Sequence, residues 1–214
     1  EYYYHVQTLV EDFDLDYSNQ MKGADYRNLN KLNDSPVPVH PIGSGIFAAP
    51  FVFISNYLSN QINLDSVVSL NYFIYSLIPI LYLYLSLKMM FKIFSSKKIE
   101  IDIIYLIILA LGSGVSYFAF ERFSMSHVYE FFGQVLIFYL IFQFENTKSK
   151  SNKNFLLYLI PIFLFLVFSI RWSNYHVFIS PFIYAIVFDK KLTKKFFSVY
   201  FFSGIVTGLS IYYF

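Results

Sequence analysis

Six apolar runs, at residues 66–87, 101–120, 126–144, 155–170, 175–188 and 197–214, fill most of this 214-residue chain after residue 64. A helix needs roughly 20 apolar residues to cross the hydrocarbon core of a bilayer, with about 17 as the lower limit. The first three runs reach that length. The runs 155–170 and 175–188 do not, so one of that pair is expected to be tilted or partly buried. Composition agrees, because charged residues are only 14% of the chain and aromatic residues are 22%, whereas a soluble domain carries about 25% charged residues. The expected fold is all-α, a polytopic α-helical membrane protein. Residues 1–64 are polar to mixed and are expected to form a first loop carrying short juxtamembrane helices, with residues 65–214 forming the transmembrane bundle.

Loop charges give an orientation. Lys88, Lys92, Lys97 and Lys98, then Lys148, Lys150 and Lys153, then Lys190, Lys191, Lys194 and Lys195 fall in alternate loops, while the loops between them hold Arg122 and Arg171. Short cytoplasmic loops collect Lys and Arg. The lysine loops are therefore expected to be cytoplasmic, with Arg122, Arg171 and residues 1–64 on the outer side. That first region holds seven acids, Glu1, Glu11, Asp12, Asp14, Asp16, Asp25 and Asp34, against Lys22, Arg27 and Lys31.

Several functional classes are excluded or left without a signal. A net charge of +2 gives no general attraction for nucleic acid. The absence of Cys removes disulfides and thiolate metal ligands. No GxxxxGK[ST], GxGxxG or HExxH motif is present. DFDLD resembles the start of a calcium loop, but Tyr17 stands where such a loop requires Gly. The chain begins without Met and ends inside GIVTGLSIYYF, which is expected of a piece cut from a longer protein.

Four constellations on the outer side carry chemistry. In EYYYHVQTLVEDFDLD, residues Tyr2, Tyr3, Val6, Leu9, Val10 and Phe13 recur at helical spacing, with Glu1, His5, Thr8 and Asp12 toward the other face. Such a helix would lie in the membrane interface. In SPVPVHPIGSGIFAAP, His40 precedes Pro41, which can open a helix, and Gly43, Ser44 and Gly45 follow. A helix start among small residues offers N–H groups to phosphate; the same residues also permit close helix packing. In AFERFSMSHVYEFFGQVL, Glu121 and Arg122 end one span, and His127, Glu130 and Gln134 share a face of the next. Ionisable groups within a span cost on the order of 3 kcal/mol each and usually line a cavity. SIRWSNYH places Arg171, Trp172, Asn174 and His176 between two apolar runs.

The order of these segments, EYYYHVQTLVEDFDLD, HPIGSGIFAAPFVFISNYL, AFERFSMSHVYEFFGQVL and IRWSNYHVFISPFIYAIVF, resembles the N-terminal half of GT-C-type membrane glycosyltransferases, near the protein O-mannosyltransferase and aminoarabinose-transferase group. The resemblance implies a polyprenyl-phosphate-linked sugar as donor, and a lipid, glycan or protein as acceptor. It also implies inversion at the anomeric carbon and a site at the outer face of a bacterial inner membrane. Glu1 would be the second member of an acidic Asp-Glu pair, and His40-Pro41 stands where the family often has Lys-Pro-Pro. Glu1 and Asp12 are the candidate catalytic carboxylates. His5, His40, Arg122, His127, Glu130, Arg171 and Asn174 are the candidate substrate contacts. No ligand set specifies a metal, although a divalent ion is compatible with the carboxylates and histidines. The alternative is a transporter or flippase of a lipid-linked saccharide.

Overall fold

The computed structural model describes residues 2–21, 30–32, 35–62 and 67–188. Glu1, the lysines at 190–195 and the run 197–214 lie outside the described residues. The elements are α1 (Tyr2–Gln7), a π-helical turn (Thr8–Asp12), β1 (Asn30–Leu32), β2 (Ser35–Val37), α2 (Gly43–Ile62), α3 (Val67–Ser96), α4 (Ile103–Leu111), α5 (Gly114–Phe120), α6 (His127–Asn146), α7 (Lys150–Ile170), a 3-10 segment (Trp172–Ile179) and α8 (Ser180–Phe188). The antiparallel pairing of β1 with β2, Asn30 opposite Val37, is a short ribbon outside the expected all-helical pattern.

This is an integral membrane protein: Leu70–Ser96, His127–Asn146 and Lys150–Ile170 are each long and apolar enough to cross a bilayer. Three of the expected runs behave differently. The run 101–120 is not one straight helix, because α4 and α5 meet at 77°. The break follows from LGSGVS. Ser113 caps α5 by accepting from the Val115 N–H and donates to the Ala110 carbonyl, while Ser116 donates to the Leu111 and Ser113 carbonyls. These hydroxyls satisfy backbone groups that a bend would otherwise strand. The run 155–170 belongs to a longer helix than its apolar residues suggest. Ser149 accepts from the Asn152 N–H, so α7 starts at Lys150 and reaches 21 residues. The run 175–188 divides into the 3-10 segment and the nine-residue α8, and Pro181 supplies no backbone donor at that junction.

α3 and α6 run parallel and α7 runs antiparallel to α6, as their contacts in register show, which separates two ends of the bundle. At one end Lys97 pairs with Glu145 at 2.7 Å, and Lys92 and Lys153 lie over the rings of Tyr139 and Phe144. At the other end the Tyr75 hydroxyl meets the Ser124 carbonyl, and Arg171 reaches α6. Arg122 and Arg171 thus occupy the end opposite the described lysines.

The first region packs into the bundle. Val6, Val10, Phe47 and Val52 share a buried cluster with Tyr75, Tyr82, Tyr129, Phe132 and Ile170. A second cluster joins α6 and α7 through Ile137, Leu140, Ile160 and Leu164. Lipid removes most of the hydrophobic drive between helices, so small residues and close contact decide such packing. At Gly133 an added Cβ would stand 2.5 Å from Val167 Cγ2.

Candidate functional site

The helix α2 begins after Ile42, whose carbonyl accepts from the Ile46 N–H, and Pro41 lies just outside the helix rather than in its first turn. Its glycines are contact points. A Cβ on Gly43 would stand 2.3 Å from the Ile170 nitrogen, and one on Gly45 would stand 2.5 Å from His5 Cβ. The small residues therefore let α2 press against the end of α7 and against α1. The N–H groups of Gly43, Ser44 and Gly45 have no acceptor among the described residues. The Ser44 hydroxyl is buried and unpartnered too. This helix start holds donors that no described residue satisfies.

The α1 segment departs from the expected two-faced helix. His5 and Thr8 are buried with Val6 and Val10, whereas Phe13, expected on the apolar face, is 72% exposed. The polar side is covered by the turn at Tyr17 and by the approach to α2. His5 Nε2 donates to the His40 carbonyl at 2.9 Å, which leaves Nδ1 to accept from the Tyr17 hydroxyl at 2.8 Å. Burial pushes the His5 imidazole down to about 4, and it pushes the Tyr17 phenol up to about 12 with help from Asp14. His5 is thus a neutral structural bracket, and His40 is held by a stack on Tyr2 with ring centroids 4.5 Å apart. Tyr2 also reaches Ser126, at the start of α6, at 3.4 Å.

Asp12 sits elsewhere. It is exposed and accepts from the side chains of Asn19 and Gln20. Phe13, its neighbour, packs on Phe53 of α2. Ten residues separate Phe53 from Gly43, which is about 15 Å along a helix. Asp14 and Asp16 turn back on their own backbone, Asp14 accepting from the Asp16 N–H and Asp16 from Ser18. The two Ser18 hydrogen bonds hold the exposed Asp16 carboxyl below its ordinary value.

Two separate sequence constellations meet at the start of α6. Arg171 Nη1 lies 3.4 Å from Glu130 Oε2 and 3.4 Å from His127 Nδ1. Phe118 covers the His127 ring at 4.0 Å between centroids. Behind Arg171, the fully buried Asn174 donates to the Val167 carbonyl at 3.0 Å, and its side-chain oxygen faces Gln134 Nε2 at 3.4 Å. Asn174 N–H also returns to the Arg171 carbonyl. This bracing fixes the break between α7 and the 3-10 segment, and so fixes where Arg171 emerges. The Glu130 side chain is 18% exposed and that of Arg171 is 43% exposed, which leaves the guanidinium accessible to a ligand. Ile170, next to Arg171, is the residue that Gly43 touches, so the unsatisfied α2 start and the Arg171 cluster are neighbours.

Arg122 is not joined to that cluster. Its Nε donates to the Tyr117 hydroxyl of the preceding helix at 3.1 Å. Gln134, which meets Asn174, and Ser44, whose buried hydroxyl meets no described partner, were flagged by the sequence only as part of a helix face and as a small residue. Among the described residues no three His, Asp or Glu side chains are grouped to hold a metal ion. No protein-family model, curated protein or solved structure matches this chain.

Proposed function

We propose that the chain carries the lipid-phosphate end of a membrane glycosyltransferase of the GT-C type, transferring sugar from a polyprenyl-phosphate donor at the outer face of a bacterial inner membrane. The observation that carries this proposal is the meeting of Arg171, Glu130 and His127 beside the unsatisfied start of α2. A half-exposed guanidinium next to free helix N–H groups suits a phosphate ester, which gains charge as the sugar leaves. Glu130 aims Arg171 and is the described carboxylate at the cluster. Asp12 is assigned no step, because Asn19 and Gln20 hold it far along α2. Glu1, outside the described residues, remains the family-implied candidate for orienting the acceptor. A transporter or flippase of the same lipid-linked saccharide is the second proposal, favoured by the pairing of Glu130 with Arg171, which occupies the described carboxylate of the cluster.

The test is sugar transfer in membranes holding the full-length protein and radiolabelled polyprenyl-phosphate sugars. Arg171→Ala and Glu130→Gln should lose transfer at unchanged protein level, while Asp12→Asn should keep it. Labelled lipid that crosses the bilayer intact in wild type, without transfer to any acceptor, would replace the enzyme with the transporter.

A further inference from the structure

The donors of Arg171 divide into two edges. A guanidinium is a planar fork of N–H groups with no acceptor, and Nη1 carries two of its hydrogens. Nη1 lies 3.4 Å from Glu130 Oε2 and 3.4 Å from His127 Nδ1. Both of its hydrogens therefore have an acceptor, one a carboxylate and the other a ring nitrogen. The second contact also sets the tautomer of His127. Because arginine only donates, Nδ1 offers its lone pair and the ring proton sits on Nε2. The Nε2 N–H points to the other edge of the ring, away from Arg171. The imidazole therefore holds the guanidinium from behind and does not share its ligand. Phe118 fixes the ring from α5, with planes 37° apart.

His127 and Glu130 are neighbours on one face of α6, three residues apart. Together they clamp one end of the guanidinium. The opposite edge, formed by Nε and Nη2, has no acceptor among the described residues. That edge makes two parallel N–H···O bonds to two oxygens of one phosphate. The Arg171 backbone is fixed too, since its carbonyl accepts from the Asn174 N–H. A side chain set at both ends before its ligand arrives loses less freedom on binding. We propose that His127 is a positioning residue rather than a substrate contact. With Glu130 it takes both Nη1 hydrogens and turns the Nε–Nη2 edge of Arg171 toward the two unesterified oxygens of a lipid phosphodiester, a role that rests on the lipid-phosphate reading of this site.

The experiment measures binding of farnesyl methyl phosphate, a lipid phosphodiester, to the detergent-purified full-length protein by isothermal titration calorimetry. Arg171→Lys keeps the charge but loses the fork, and should weaken binding about tenfold or more. His127→Leu should weaken it about tenfold. His127→Asn, whose Oδ1 stands near the place of Nδ1, should recover most of that loss and bind at least about fivefold tighter than His127→Leu. Melting by circular dichroism checks that each variant folds. Arg171→Lys changes a half-exposed side chain outside the helices, so it keeps the proposal testable where a His127 variant unfolds. A wild-type protein that does not bind the diester overturns the lipid-phosphate reading and the role of His127 with it. Binding by wild type with Arg171→Lys undiminished, or with His127→Asn no tighter than His127→Leu, leaves that reading standing and overturns the positioning role alone.

Discussion

Replacing Gly43 by Ala tests whether α2 owes its position to direct contact with α7. The added methyl would stand 2.3 Å from the Ile170 nitrogen, 2.4 Å from the Ser169 carbonyl carbon and 2.5 Å from Ser169 Oγ. Two of these atoms are backbone, near the end of a span, so no rotamer change makes room. Overpacking a well-filled site costs typically 1–3 kcal/mol, and backbone contact on both sides puts this case at the upper end, about 3 kcal/mol. For a chain of this size each kcal/mol moves the midpoint by roughly 2–4 °C. Gly43→Ala should therefore lower the unfolding midpoint in detergent by roughly 6–12 °C. Gly114→Ala is the control, because a Cβ there meets nothing within 4 Å. It sits in the first turn of α5 and should be neutral or slightly stabilising through the unfolded chain. Circular dichroism of both variants in one detergent decides the matter. A Gly43→Ala midpoint equal to that of Gly114→Ala would refute the contact and, with it, the juxtaposition of the α2 start with Arg171.

Other consequences are independent of that contact. His5 is held neutral when folded, at about 4 against 6.5 unfolded, so the unfolded chain takes up the proton first. Stability is complete above pH 6.5 and should fall by about 3 kcal/mol as pH drops to 4; His5→Gln should flatten that slope in pH-dependent melts. Removing Ser113 as the α5 cap, by Ser113→Ala, should cost about 1 kcal/mol and reduce amide-exchange protection at Val115 first. The exposed Lys97–Glu145 pair is a surface ion pair, and Glu145→Ala should change stability by less than about 1 kcal/mol in the same melts. If Arg171 carries transition-state charge, Arg171→Ala should lower transfer by about a hundredfold or more. Arg122→Ala, which loses a contact to Tyr117, should lower it far less.

Apolar run length and loop charge were enough to place α3, α6 and α7, because a bilayer tolerates few alternatives to a helix of that length. They were also enough to put Arg122 and Arg171 at the end opposite the described lysines. The reach of α7 back to Lys150 was harder to see, since polar first-turn residues look like loop until the Ser149 cap is recognised. LGSGVS signalled a weak point, yet nothing local fixed a 77° bend. In the first segment the helical spacing was legible, but the faces were not. A half-polar helix reads as interfacial when considered alone; here Tyr17 and the His40 carbonyl supply partners that let His5 be buried.

The candidate site divides along the same line. The residue types were visible from the sequence, as was the shared face of His127, Glu130 and Gln134, because spacing within one helix fixes its faces. Pairing Arg171 with Glu130, separating Asp12 from them and seating Gly43 on Ile170 are relations between distant segments. They depend on how helices cross and how closely their backbones approach, which no local pattern encodes.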